Sequence, residues 1–290
     1  MANLKEVRTR IASVSSTKKI TSAMKMVSAA KFKKAQNTLL KFRPYSDSIA
    51  ALVHGLLPTK GMEGYMGSAK RTPRNALLLL ICSNNSLCGA FNANIIKEAK
   101  RTHDRLRQEH PSIAVHFYCI GSKGEDLLRR EGFTVVARNH ECVDKPRFEA
   151  SKEVFKELMS FYKEGRYDCI ALVYNKFKNA ATQELMVEPL LPIAPRERSK
   201  QRTQIPPIIE PSPRVLLSDL LPYYLQNQLH SAILESSTSE HGARMTAMHQ
   251  ATENASALYD ELLLEYNKAR QAAITDEILE IVSGANALNG

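Results

Sequence analysis

Two stretches of this 290-residue chain lack the residues that break helices. Residues 1–43 contain neither proline nor glycine, and residues 223–283 contain no proline and a single glycine, Gly242. Sheet and turn architecture is therefore not expected over either stretch. Helices are, and the sixty-one residues of the second would rise roughly 90 Å, several times the ordinary length. No apolar run approaches the eighteen residues of a membrane-spanning helix, and residues 1–10 lack the apolar centre of a secretory signal. The cysteines, Cys82, Cys88, Cys119, Cys142 and Cys169, lack a metal-ligand spacing, and four lie in or beside apolar runs. Reduced, mostly buried thiols in a cytosolic compartment follow.

Chemistry-bearing motifs are also missing. The histidines form no HExxH or paired motif, and His241 and His249 read as separate surface or seam residues. The segment 83–89 supplies only Gly89 where a dinucleotide fingerprint needs three glycines, and the turn 121–124 lacks the spacing of a phosphate loop. Packing accounts for Gly121 and Gly124 more simply. Cys88 at a helix start has no histidine near it in sequence, which favours a structural thiol. No catalytic, cofactor-binding or metal-binding residue is expected.

What the chain has is charge, unevenly placed. Residues 1–43 carry eleven Lys or Arg against one acid, Glu6, for a net +10, equal to the net charge of the whole chain. Residues 223–290 carry nine acids and three bases, for −6. Two long segments of opposite sign attract when antiparallel, leaving positive excess on the first. Apolar spacing agrees. Met248, Ala251, Ala255, Leu258 and Leu262 step by three and four as the seam of a coiled coil, and its alanines require a close partner. Leu4, Val7, Ile11 and Val14 give the matching seam, which Ile20, Met24 and Val27 resume after a shift of phase.

In order, residues 1–57 form the N-terminal coiled-coil helix, with Pro44 accommodated inside it, and 58–75 form a glycine-rich connection. Residues 76–195 alternate strands (76–83, 113–120, 134–137, 167–175, 182–191) with helices (89–107, 123–130, 148–162). That alternation predicts an α/β domain, Rossmann-like, with an open and mostly parallel sheet. Residues 196–217 are a proline-rich strap anchored by Ile208 and Ile209, and 218–290 the C-terminal coiled-coil helix, with Ser218 as N-cap and a polar tail after Ser283. Asp276, Glu277 and Glu280 read as a solvated ridge, one that a basic partner surface would favour near a helix C-terminus.

Eleven positive charges along one helix could also track the phosphates of a nucleic acid, so a basic nucleic-acid-binding protein with a coiled-coil arm is the alternative reading. No recognition-helix motif, aromatic platform or zinc spacing accompanies the charge. An acidic protein surface suits Lys18, Lys19, Lys31, Lys33 and Lys34 equally.

The motifs at the two chain ends point to a family. The run Ile274-Thr275-Asp276-Glu277-Ile278-Leu279-Glu280-Ile281-Val282-Ser283-Gly284-Ala285-Asn286-Ala287, preceded by Tyr266-Asn267-Lys268-Ala269-Arg270-Gln271, resembles the C-terminal signature of the gamma subunit of the F-type ATP synthase. Ile11-Ala12-Ser13-Val14, Thr17-Lys18-Lys19-Ile20-Thr21 and Ala23-Met24-Lys25-Met26-Val27 resemble its N-terminal motifs. The resemblance covers essentially the whole chain. It implies a non-catalytic rotary shaft: an antiparallel coiled coil threaded through a ring of three alpha and three beta subunits, with the α/β domain near the membrane c-ring and the C-terminus deep in the ring. Ion flow would be coupled to ATP synthesis in the ring, with epsilon and delta subunits in the same complex and no nucleic acid partner. By position, Met24 and Lys25 would face the beta-subunit lever region, and Arg270, Gln271, Thr275 and Glu277 the beta-subunit catch loop. Arg244, with Met245, belongs to the matching stretch of the last helix, and the resemblance counts Arg244 with these residues as a subunit-contact position.

The chain departs from the family at Asn84, Asn85 and Ser86, where an aspartate, an arginine and a glycine are common. Residues 191–222 have no cysteine, so the thiol switch of chloroplast members is not expected. The absence of an organelle-targeting extension favours the cytoplasmic side of a bacterial plasma membrane, peripherally attached.

A proline placed at Leu258 is expected to cost about 3 kcal/mol in a helix interior and to disassemble or uncouple the complex. Residues 76–195 should stay folded, and loss of their sheet signal in circular dichroism would contradict the two-part architecture.

Overall fold

The structure is a computed structural model that describes residues 4–56, 73–193, 209–210 and 212–289. The expected connection and strap lie mostly outside these residues, Ile208 among them. The chain divides into two units, residues 1–28 with 245–290, and residues 29–244. Two helices contribute to both: α1 (Leu4–Leu56) and α6 (Pro213–Asn289). Pro44 sits inside α1, as the sequence predicted.

Helix α6 starts earlier than expected. Ser212 is the cap, its Oγ accepting the Val215 N–H at 3.3 Å, and Pro213 takes the first helical position, where a missing N–H costs nothing. The expected cap Ser218 is instead inside the helix, its hydroxyl donating to Val215 O. At the other end the helix runs through Gly284 to Asn289, so the polar tail is helical.

Residues 29–244 hold the sheet. Its strands are β1 (Asn75–Ile81), β2 (Ala114–Ile120), β3 (Val135–Asn139), β4 (Cys169–Phe177) and β5 (Gln183–Leu191), in the order β3-β2-β1-β4-β5. All pairings are parallel except β4 with β5. Helices α2 (Phe91–Glu109), α3 (Ser122–Arg130), α4 (Glu141–Asp144) and α5 (Phe148–Lys163) make the crossovers, and the short α4 has no counterpart in the sequence reading. Strand β1 is apolar from Ala76 to Ile81 because both its faces are covered. Leu78 and Leu80 pack with Ile95, Ile96 and Ala99 of α2 and Leu128 of α3. Leu77, Leu79 and Ile81 pack with Val154, Phe155 and Leu158 of α5 and Leu225, Leu229 and Ile233 of α6. Each such side chain contributes about 1.5–3 kcal/mol relative to exposure.

The two long helices are antiparallel here. Ile49, Val53 and Leu56 of α1 pack on Leu217 and Leu221 of α6, with Ile209 against the same cluster. His230 of α6 lies between two rings, Phe42 of α1 at 5.0 Å and Phe148 of α5 at 5.2 Å. Its Nδ1 is 3.1 Å from Ser151 Oγ. Burial pushes His230 down to about 4, only partly opposed by the Glu149 carboxylate, so the ring is neutral in the folded protein.

An unfolded histidine takes up its proton near pH 6.5, whereas the folded one resists to about pH 4. The unfolded chain therefore binds more protons in that window, and stability is lost as pH falls through it. Thermal unfolding followed by circular dichroism should show this loss, up to about 3 kcal/mol from this one ring. The His230→Gln variant should lack that part of the slope.

Candidate interaction surface

In residues 1–28 and 245–290 the helix ends run antiparallel. Thr252 Oγ1 donates to Thr21 Oγ1 at 2.9 Å, Lys18 Nζ donates to Ser256 Oγ at 2.9 Å, and the same ammonium lies 5.7 Å from the Tyr259 ring centroid. Met248, Ala255 and Leu262 are buried, as the seven-residue spacing predicted. Of the predicted alternate positions Ala251 is half-buried and Leu258 is not. Leu258 is 45% exposed, and Thr252 and Tyr259, one residue further on than Ala251 and Leu258, complete the seam. On α1 the predicted phase shift does not occur. The series Leu4, Val7, Ile11 and Val14 continues unbroken through Lys18, Thr21, Lys25 and Ser28, all at least half-buried. Ile20 and Val27 point outwards instead, 60% and 57% exposed. The seam becomes polar, and apolar side chains remain on its outside.

Beyond the seam, every described side chain from 270 to 286 is exposed. Ile274, Ile278, Leu279, Ile281 and Val282 are all among them. At 100° per residue they cover one side of α6, and Asp276, Glu277 and Glu280 the other. The helix runs two turns past Glu280, which keeps these acids clear of the negative C-terminal end of the dipole. An apolar stripe of this size marks an interaction surface.

The residues singled out from the sequence fall into three places. Met24 and Lys25 are half-buried on α1. Arg270, Gln271, Thr275 and Glu277 are exposed within about two turns of α6, and Thr275 Oγ1 donates back to Gln271 O. The antiparallel register sets Met24 opposite residues near 249, about 30 Å along the helix from Arg270. Arg244 belongs to the other unit and is already engaged. It pairs with Glu240 and donates through Nη2 to Asn85 O at 3.0 Å and Ser86 O at 3.3 Å. The turn that departs from the family pattern therefore holds this arginine through its backbone. Asn84 ties the turn down from the other side, its amide donating to His140 O and its Oδ1 accepting the Ser122 N–H.

Sequence reasoning missed a second feature. The strand order reverses between β1 and β4, and the crevice beyond their C-terminal ends is where open α/β sheets take ligands. Helix α6 fills it. Every residue from 232 to 240 is buried, Ser236 Oγ donates to Ile81 O, and Ser239 Oγ to Asn175 O. The signal was the run Ser236-Ser237-Thr238-Ser239, small residues that let a helix approach a backbone closely. Nearby turns pack as tightly: a side chain at Gly121 would meet Cys82 O at 2.3 Å and one at Gly124 would meet Cys82 Sγ at 2.6 Å.

The titratable groups of the domain are committed to structure. Burial pushes the Cys82 thiol well up and Cys119 up to about 12, so neither is a nucleophile. Burial would raise Glu125, but Arg138 and His140 at hydrogen-bond distance, with the Arg129 charge, outweigh it and hold the carboxyl below its ordinary value. Among the described residues no group of His, Cys, Asp and Glu is placed to hold a metal ion.

Known proteins resemble this chain over its full length. A family model described as ATP synthase matches residues 3–288. The ATP synthase gamma chain of Christiangramia forsetii is 47% identical over 291 residues, and that of Flavobacterium johnsoniae 48% identical over 293, each covering 100% of both chains. Among solved structures, a chain from the central stalk and c-ring of the Tetrahymena thermophila mitochondrial ATP synthase is 26% identical, with a TM-score of 0.59 over 80% of this chain and 99% of its own. A chain of the Euglena gracilis mitochondrial enzyme in an OSCP/F1/c-ring structure shares the fold, with a TM-score of 0.69 at 19% identity over 98% of this chain and 94% of its own. The chain belongs to the ATP synthase gamma chain family.

Proposed function

We propose that this chain is the non-catalytic rotary central-stalk subunit of a proton-translocating ATP synthase, turning ion flow through a membrane rotor into ATP synthesis in a surrounding catalytic ring. The observation that carries the reading is the exposed amphipathic end of α6, a long helix whose last turns have no partner among the described residues. Ile20 and Val27 on the outside of α1 extend the apolar surface along the paired region. A ring of subunits around the paired helices accounts for both.

The ring comprises three alpha and three beta subunits. Ile274, Ile278 and Ile281 meet its apolar lining, and Arg270, Gln271, Thr275 and Glu277 meet beta-subunit loops. Met24 and Lys25 make the second beta contact, about 30 Å away along the shaft. The sheet domain faces the epsilon subunit and the c-ring, and a delta subunit completes the complex. Arg244 acts from within the chain, holding the turn at Asn85 and Ser86. The complex lies on the cytoplasmic side of a bacterial plasma membrane, to which this chain is peripheral; among the described residues no helix is long and apolar enough to cross a membrane. The gamma chains of Christiangramia forsetii and Flavobacterium johnsoniae are bacterial, which supports that placement.

Pull-down of the tagged chain should bring alpha and beta subunits with it, and their absence would sink the reading. Replacing Ile274 and Ile278 together by Asp should weaken that capture by tenfold or more, since each buried side chain lost is worth about 1.5–3 kcal/mol. The same variant should keep the sheet signal of residues 29–244 unchanged in circular dichroism.

A further inference from the structure

We propose that the ion pair of Arg43 and Glu235, closed on Phe177 of β4, is the joint that makes the sheet and the two long helices turn as one piece; this rests on the rotary reading above. Three elements meet in it. Arg43 of α1 donates from Nε to Glu235 Oε1 and from Nη2 to Oε2, each at 2.9 Å. Glu235 of α6 also accepts the Phe177 N–H at 2.8 Å, and Arg43 Nη2 donates to Phe177 O at 3.1 Å. One strand residue thus has both its backbone groups held, one by each helix.

The geometry suits a load-bearing contact. A single hydrogen bond swivels about its own axis, whereas a two-pronged guanidinium–carboxylate pair fixes orientation as well as distance. Glu235 is only 5% exposed, so any slip that parted it from Arg43 would strand a buried carboxylate. An apolar cluster joins the same three elements beside the pair: Leu39 of α1, Phe177 of β4 and Leu234 of α6, with Phe32 and Phe42 against them, while the Arg43 side chain stays 34% exposed. The Phe32 and Phe177 rings meet edge to face at 5.6 Å. Within the next turn of α6, Ser236 and Ser239 hold Ile81 O and Asn175 O, so the helix is gripped along a stretch and not at a point. Arg43 and Glu235 are therefore positioning residues, acting through the strand and both helices.

The test uses the full chain assembled in its ATP synthase complex in sealed vesicles, with ATP hydrolysis and ATP-driven proton pumping measured on the same preparation. The double variant Arg43→Gln with Glu235→Gln removes the pair and leaves no buried charge unmatched. Hydrolysis should stay within about twofold of the unaltered complex, and protons pumped per ATP should fall about threefold or more. Arg43→Lys, which keeps the charge and loses the fork, should give an intermediate ratio. An unchanged ratio overturns the proposal, whether both rates fall together through poor assembly or neither changes. If the unaltered chain supports no pumping in a complex that contains it, the rotary reading fails instead.

Discussion

Strand β4 outruns its neighbour, and the backbone groups it leaves behind must be hydrogen-bonded. Strand β1 pairs with it only from Cys169 to Val173, yet β4 continues to Phe177. On the side where β1 has ended, Asn175 O and both backbone groups of Phe177 lie in a buried region. Each would cost about 1–3 kcal/mol if unsatisfied. Side chains of the two long helices take the place of the missing strand: Ser239 on Asn175 O, Glu235 on Phe177 N–H and Arg43 on Phe177 O. Much else follows from this one requirement. The helix must come close, so it is built from small polar residues over 236–239, and once there it occupies the crevice in which a related sheet would bind a nucleotide. The absence of a phosphate-binding glycine pattern and the presence of this helix are two sides of one arrangement.

The paired helix ends obey a different rule. Their seam is apolar at Val7 and Leu262 but contains Lys18, Thr21, Thr252 and Ser256 in its middle, where hydrogen bonds replace side-chain interdigitation. Polar seam positions sacrifice stability and fix register. The lysine of this seam does both, donating to Ser256 while lying over Tyr259. Apolar residues that a self-sufficient coiled coil would turn inwards, Ile20, Val27 and Leu258, are left on the outside. Such a pair is incomplete by itself.

How much of this the sequence disclosed depends on the kind of signal. Absence of breakers located both long helices, and buried-strand runs such as 76–83 located the sheet, because these depend on backbone permission and on burial of both faces. The chain-end motifs named the family. The C-terminal seam is legible at Met248, Ala251, Ala255 and Leu262, and the reading fails at Leu258. Apolarity alone does not mark the inside of this pair, since Leu258 faces out while Thr252 and Tyr259 face in. The start of α6 was hidden for a related reason: five prolines in 195–214 read as a strap, although Ser212 followed by Pro213 is a cap and first-turn pair. The pairing of Arg43 with Glu235 spans 192 residues, and no local pattern could announce it.

The exposed end of α6 finally bears on how a shaft can hold and turn. A helical end without a packing partner is only marginally stable in water, so the last turns depend on whatever surrounds them. A rod apolar all round would be gripped equally from every side and would resist turning. This end has Ile274, Ile278, Leu279, Ile281 and Val282 on one side and Asp276, Glu277 and Glu280 on the other. Inside the ring proposed above, such an end would offer each surrounding subunit a different surface at each angle, adhesive on one side and solvated on the other, and a single chain would thereby set otherwise identical neighbours apart.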